Sequence, residues 1–262
     1  MLHCAALIDK GAVRSTNEDR AFVNGIILDV GLRSFSFTND DSGFFIVCDG
    51  VGGEHGGEVA AEIALNRFNT FINSNWYLEN KKLEPEDISK VIEAANEDIL
   101  AAQRENTELS KMATSIAGVY FYEDDYIVFN AGDTCVHRFR MPYIATLSTL
   151  HTLAEELLEI GVISARDEAN RTQKNTLTHY LGSTSKEISK AAFGNGKILG
   201  NDIFIISSDG LFGGIDEKEL EHIMKMGKPL EETAKILVES AMKNGSADNI
   251  SVILVQKEES NG

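Results

Sequence analysis

Short, nearly continuous apolar runs alternate along this chain with stretches of helical period. Leu2–Ile8, Phe44–Cys48, Ile127–Ala131, Ile203–Ser207 and Ile250–Val255 are too short for helices and rich in Ile, Val and Phe, so they read as buried strands. Ala113–Ala131 holds two strands around a Glu123-Asp124-Asp125 turn. Cys135–Leu147 holds two more joined at Met141-Pro142, and Ala21–Phe37 reads as a meander. Val59, Ala60, Ile63, Ala64, Phe68 and Phe71 recur at three- and four-residue steps, which predicts an amphipathic helix over 58–71. Ile88, Val91, Ile92, Ala95 and Ile99 predict another from Pro85 to about Arg104, with proline at its first turn. Trp76-Tyr77 between them reads as a packing cluster. The segment 151–181 is polar and mostly helical in pattern, after which Ile188–Phe193 and Asp202–Ser207 resume as strands. Asp216 caps a helix through Met224, and Pro229 opens one that runs to Lys243 and stops at Asn244-Gly245.

The strands share a second feature: they begin or end on acids. Asp49-Gly50 follows Phe44–Cys48, Asp209-Gly210 follows the strand at 203, Asp133 follows Ile127–Gly132, Asp248-Asn249 precedes the last strand, and Asn17-Glu18-Asp19 precedes Ala21. One such acid is an ordinary turn former. Several in one chain predict carboxylates gathered at one sheet edge. Two carboxylates ~4 Å apart repel by about 4 kcal/mol at an effective dielectric near 20, so a gathered set must take up protons or a cation. Oxygen donors without cysteine or histidine point to a hard divalent ion such as Mg²⁺ or Mn²⁺. The bare backbone at Gly50, Gly52, Gly53, Gly56 and Gly57 holds the first acid rigidly at the surface.

Composition excludes other classes. A net charge of −17 over 262 residues opposes binding to a nucleic-acid backbone. The glycine loop lacks the Gly-Lys-Ser/Thr of a P-loop, and Asn39-Asp40-Asp41-Ser42-Gly43 lacks calcium-loop spacing, so it reads as a solvated turn; both count against a nucleotide- or calcium-binding module. Cys4, Cys48 and Cys135 lie in apolar strands without CxxC spacing, which predicts reduced core thiols and a cytoplasmic protein. No arginine-rich phosphate loop follows Cys48, so a thiol nucleophile there has little support. Leu2–Ile8 lacks the flanks of a signal peptide, and no run is long enough for a membrane span. His55, the one histidine beside the glycine loop, reads more simply as an exposed loop residue than as a proton donor.

The motifs Arg14-Ser15-Thr16-Asn17-Glu18-Asp19, Cys48-Asp49-Gly50-Val51-Gly52-Gly53, Ala131-Gly132-Asp133, Ser208-Asp209-Gly210-Leu211 and Asp248-Asn249-Ile250-Ser251 resemble, in order and spacing, those of the metal-dependent Ser/Thr protein phosphatases of the PPM (type 2C) family, in its bacterial branch. The resemblance runs from Ile8 to Val255. It implies an α+β fold, a four-layer αββα sandwich of two antiparallel β-sheets flanked by helices. It implies one domain over 1–256, with a flap subdomain over about 151–187 and a disordered tail over 257–262. It implies two Mg²⁺ or Mn²⁺ ions, held by Asp49, the Gly50 carbonyl, Asp209 and Asp248 with Asp19 or Glu18 assisting, and a third, weaker ion at Asp133. Arg14 is then the phosphate clamp, Asn249 a substrate-side residue orienting water, and Asp49 and Asp209 the catalytic acids. The implied reaction is hydrolysis of phosphoserine and phosphothreonine by direct attack of a hydroxide bridging the ions. The implied partners are phosphorylated proteins made by a Ser/Thr kinase, met by a monomer without nucleic acid or membrane; Arg166, Arg171 and Lys174 of the flap read equally as contacts for acidic substrates or as solvated charges on an exposed helix. A phosphatase fold serving only as a binding scaffold is the alternative, and the joint presence of Asp19, Asp49, Asp209 and Asp248 opposes it. Val51, Glu54, Leu150, Gly213 and Thr134-Cys135 depart from the family pattern around the site and leave the general acid unassigned.

Overall fold

The apolar runs pair across long sequence separations into two antiparallel sheets in a computed structural model, which describes residues 1–37, 42–52, 56–79, 81–164 and 176–258. The first sheet contains β1 (Leu2–Asp9), β4 (Gly31–Phe37), β10 (Cys135–Arg140), β11 (Tyr143–Thr146), β13 (Ile203–Ser207) and β14 (Ile250–Lys257), in the order β11-β10-β13-β14-β1-β4. The second contains β2 (Arg20–Val23), β3 (Ile26–Leu28), β5 (Ser42–Cys48), β8 (Ile116–Tyr122), β9 (Asp125–Ala131) and β12 (Ala192–Lys197), in the order β12-β9-β8-β5-β2-β3. A small ladder joins β6 (Gly50–Val51) to β7 (Ala113–Thr114).

Strand alternation sorts each run onto two apolar faces, which is why the runs are almost continuous. Cys4, Ala6, Phe45, Val47, Val119, Phe121, Ile206 and Ile253 point between the sheets. Phe44, Ile46 and Cys48 point outward beneath α1 (Gly57–Ile72) and α3 (Pro85–Glu105), with the short α2 (Asn75–Glu79) beside them. Phe44 packs against Phe68 and Tyr120 there, at centroid distances of 5.4 and 4.4 Å. Ile205, Val252 and Leu254 point outward beneath α6 (Glu217–Lys225) and α7 (Leu230–Lys243). The result is the four-layer helix–sheet–sheet–helix sandwich. Asp216 caps α6 by accepting the Glu219 N–H at 2.8 Å, and Gly245 takes φ 97° just past α7. No described helix is long and apolar enough to cross a membrane.

Four local expectations change. The strand expected over Ile188–Phe193 forms at 192–197 instead, because Ser189 N bonds Ser185 O in a turn and β9 imposes its ladder on Gly194-Asn195-Gly196. A side chain at Gly196 would meet the Tyr126 hydroxyl at 2.6 Å, so this edge strand needs residues with little strand propensity. Within 151–181 the expected helix forms as α4 (Leu153–Glu159), with a β-bridge between Thr152 and Leu177 at its root, while the helical pattern expected from Ser164 to Asn170 lies, but for Ser164, outside the described residues. The Ala21–Phe37 meander divides, with β2 and β3 in one sheet and β4 beside β1 in the other. The expected tail is ordered at its start: β14 runs through Lys257, and Glu258 N reaches Met1 O at 2.9 Å. Of the Trp76-Tyr77 pair only Tyr77 is buried. Residues 38–41, 165–175 and 259–262, with most of the acidic turn and Arg166, Arg171 and Lys174, lie outside the described residues.

Candidate metal and phosphate site

The register of the two sheets brings the acids to one edge. Cys48, just before Asp49, pairs with Arg20, just after Asp19. Ser207, two residues before Asp209, pairs with both Cys135 and Val252. Asp9 pairs with Ile250, two residues after Asp248. Asp133 follows Ala131, which pairs with Ile116, and the chain turns there at Gly132 with φ 117°. Asp209 opens α5 (Asp209–Phe212), a single turn that departs from β13.

These carboxylates feel one another strongly. Burial drives the Asp49 carboxyl well above the ordinary carboxylate range, and the charges of Asp19, Asp209, Asp133 and Asp248 push it further. Burial likewise lifts Asp19 to about 7 against the pull of the Ser208 and Ser251 hydroxyls, with Asp209 and Asp248 adding to the lift. Asp133 rises to about 7, by burial first and then by Asp209. Ser208 Oγ donates to Asp19 Oδ2 at 2.7 Å and accepts the Ser251 N–H at 2.9 Å. Asp19 Oδ1 and the Ser251 Oγ are both buried and make no hydrogen bond of ordinary geometry, so the Ser251 hydroxyl is the one donor that bears on this oxygen, and only weakly. Among the described residues no three acidic, histidine or cysteine side chains close on one point as a finished metal cage. The acids are joined by their mutual field, and a hard divalent cation fits that arrangement: the donors are all oxygen, and their repulsion falls when a cation enters.

Bare backbone shapes the floor of the site. A Cβ on Gly50 would lie 2.2 Å from the Gly57 carbonyl, and one on Gly57 would lie 2.8 Å from the Gly50 oxygen and 3.0 Å from the Glu18 carboxyl carbon. The turn after β5 and the start of α1 therefore touch through two glycines, with Glu18 against the contact. The Asp49 carbonyl is held by Ser115 N and Thr114 Oγ1, each at 2.9 Å. Sequence reasoning named Gly57 only as one glycine of the loop after Asp49, and did not single out Thr114 or the Ser208 hydroxyl. Only Ser208, directly before Asp209, carried a local signal.

Arg14 sits half-exposed at the rim, and its Nη2 donates to Asp248 Oδ2 at 2.6 Å. Asp248 Oδ1 accepts the Asn249 N–H at 2.8 Å. Each Asp248 oxygen thus keeps a lone pair for another ligand. The side chain of Asn249, expected to orient water, is engaged by backbone. Oδ1 accepts the Glu18 N–H at 2.9 Å, and Nδ2 donates to Lys10 O at 2.8 Å and Thr16 O at 2.9 Å. Cys48 is fully buried and burial pushes its thiol up, so it is neither exposed nor ionised as a nucleophile must be. Gly53, Glu54 and His55 lie outside the described residues.

The family model for Protein phosphatase 2C matches residues 33–245. A serine/threonine phosphatase, stp, of Listeria monocytogenes is 28% identical over 262 residues, covering 98% of this chain and 96% of its own. The structure of the S. agalactiae serine/threonine phosphatase superposes with a TM-score of 0.84 at 24% identity, covering 98% of this chain and all of that one. The catalytic domain of the phosphatase PstP, solved with two manganese ions, superposes with a TM-score of 0.77 at 19% identity, covering 99% and 100% of the two chains.

Proposed function

The chain belongs to the protein phosphatase 2C family, and within it we propose a metal-dependent protein-serine/threonine phosphatase working at the acid edge of the sandwich. The observation that carries this reading is the strand register that brings the ends bearing Asp19, Asp49, Asp133, Asp209 and Asp248 to one edge, where burial and mutual repulsion raise the carboxyls of Asp19, Asp49 and Asp133. Asp49, Asp209, Asp248 and Asp19, with the Gly50 carbonyl and Glu18 beside it, are the donors that would hold two Mg²⁺ or Mn²⁺ ions, and we take Asp133 as the candidate for a weaker third. Such ions, when bound, supply an activated water and Lewis acidity to an in-line displacement at phosphorus.

The chain's own residues do the rest. Arg14 uses one N–H on Asp248, and its planar guanidinium retains donors for the non-attacking phosphoryl oxygens. Its cationic form is reinforced by Asp248 and, more weakly, by Glu18 and Asp49. Ser208 fixes one Asp19 oxygen and so sets the orientation of its carboxylate. Thr114 and Ser115 hold the Asp49 backbone rigid beneath its carboxylate.

The substrates on this reading are phosphoproteins, in keeping with the Listeria relative's name of serine/threonine phosphatase, and we take them to be products of a Ser/Thr kinase. Three free, buried cysteines support a reducing, cytoplasmic setting, and we assign the chain as a monomer. The test is hydrolysis of p-nitrophenyl phosphate and a phosphothreonine peptide, with Mn²⁺ and with EDTA, by wild type and Asp209→Ala. Metal-dependent turnover that disappears in Asp209→Ala supports the assignment. A folded, Mn²⁺-loaded wild type that turns over neither substrate overturns it.

A further inference from the structure

The segment between β1 and β2 has no regular structure over residues 10–19, yet it carries Arg14, Glu18 and Asp19. Two of those groups are acids brought toward three or four others, so the segment is repelled from the edge it must reach. Something has to hold it there, and a further cation in that role would compete with the ions of the site.

The geometry points to Asn249 as the neutral clasp, a positioning residue that docks this segment onto the start of β14 and so sets both metal affinity and phosphate affinity. The inference rests on the phosphatase reading above and departs from a direct role for Asn249 in orienting water. Its amide bonds Lys10 O, Thr16 O and Glu18 N at 2.8 to 2.9 Å, thereby gripping the segment at its entry, middle and exit. The side chain is 95% buried. Its oxygen takes one donor and its nitrogen gives both hydrogens, so the amide's donors are exhausted within the segment. The approach is close at the entry as well: a Cβ at Gly11 would lie 2.1 Å from the Asp248 carbonyl. Other bonds shape the segment internally or tie it elsewhere. Asn17 Oδ1 accepts Asp19 N at 3.2 Å, Asn17 Nδ2 reaches Asp29 O, and Arg20 reaches Asn17 O and Asp19 O. Asn249 and the Arg14–Asp248 pair connect it to the Asp248 turn, and the latter pair is exposed to solvent screening.

The test compares wild type, Asn249→Ala and Asn249→Ser in three measurements: calorimetric titration with Mn²⁺ alone, steady-state hydrolysis of a phosphothreonine peptide at saturating Mn²⁺, and hydrogen exchange of the peptide covering residues 10–19. The expected result is a Mn²⁺ Kd and a peptide KM each raised about tenfold or more, faster exchange over 10–19, and kcat within about threefold of wild type once metal and substrate saturate. The serine variant leaves a hydroxyl for the stranded backbone groups; it shows the same changes at smaller size and serves if the alanine variant does not fold. A lowered kcat with Kd, KM and exchange unchanged overturns the inference in favour of direct action on the attacking water. Wild-type values throughout in a folded variant overturn it outright. A wild type that binds Mn²⁺ yet hydrolyses nothing sinks the phosphatase reading, while the titration and exchange still decide the clasp.

Discussion

Replacing Gly210 by alanine adds one methyl group between the two turns that carry Asp209 and Asp248. The new Cβ would stand 1.9 Å from the Asn249 carbonyl oxygen and 3.0 Å from its carbon. Ordinary contact begins at 3.4 Å, so the turns must part by 1.5 Å, the difference between 3.4 and 1.9. Neither side yields easily. Ser246 Oγ holds the Gly210 carbonyl at 2.7 Å, and Ser208 N holds Ser251 O at 3.1 Å, which pins α5 to the loop before β14 on one side and its entry to β14 on the other. Overpacking of a core costs about 1–3 kcal/mol, and this contact, against backbone rather than a side chain, belongs near about 3 kcal/mol. For a chain of this size that lowers Tm by roughly 6–12 °C. The parted acids no longer match the spacing of a bound ion, and a displacement of ~1 Å costs roughly 10²-fold in rate. Thermal unfolding in EDTA, Mn²⁺ titration and kcat/KM on a phosphothreonine peptide read the three effects. A Gly210→Ala protein with wild-type Tm, Mn²⁺ affinity and turnover would falsify the reading of this glycine as a close-approach residue.

Arg14→Ala should lower kcat/KM on a phosphopeptide by about 10²-fold while leaving the fold intact, because an exposed arginine is removed; unchanged kinetics would exclude it as the phosphate clamp. Asp202 is buried and held by Arg140 Nε and Nη2 at 2.7 and 2.6 Å, so Asp202→Ala should destabilise by about 3 kcal/mol in urea unfolding and leave kcat unchanged, since the pair is remote from the acid edge; a loss below about 1 kcal/mol would contradict the burial argument. His137 is buried against Phe212, and burial lowers its pKa to about 4 despite Glu217. A depressed histidine favours the neutral form in the folded state, so its contribution is fully present above about pH 6.5 and is lost as pH falls towards 4, about 3 kcal/mol in all. Urea unfolding of wild type and His137→Leu, compared at pH 7 and pH 5, should show the wild type losing about 2 kcal/mol more than the variant over that interval, and parallel losses would refute it.

Much of the sandwich was legible because its strands are buried on both faces. Phe44–Cys48 and Ile250–Val255 could not be anything but core, and α1 and α3 announced themselves by period. Where signal failed, tertiary contact had taken over. β12 forms on Gly194-Asn195-Gly196 because β9 offers a free edge, and nothing local in Ile188–Phe193 reveals that the strand starts at Ala192. The acids of the site were legible as a class, since each stands where a strand meets a turn. The residues that support them were not. Thr114 and Ser115 act through the Asp49 carbonyl, some sixty residues away in the chain, and the Asn249 amide faces backbone that only the fold brings to it.

By itself, then, the sequence determined which segments must be buried, which acids stand at their ends, and that a cation is needed if those acids meet. These follow from apolar period and charge, which are properties of neighbouring residues. Only the tertiary structure decided that those strand ends share one edge, that Ser208 holds one Asp19 oxygen, and that the Asn249 amide bonds the backbone of the segment carrying Arg14. Those outcomes depend on strand register and on backbone approach at Gly50, Gly57 and Gly210, where a single Cβ is too large. Register is set by side chains packing across two sheets at once, so no local stretch of the chain contains it.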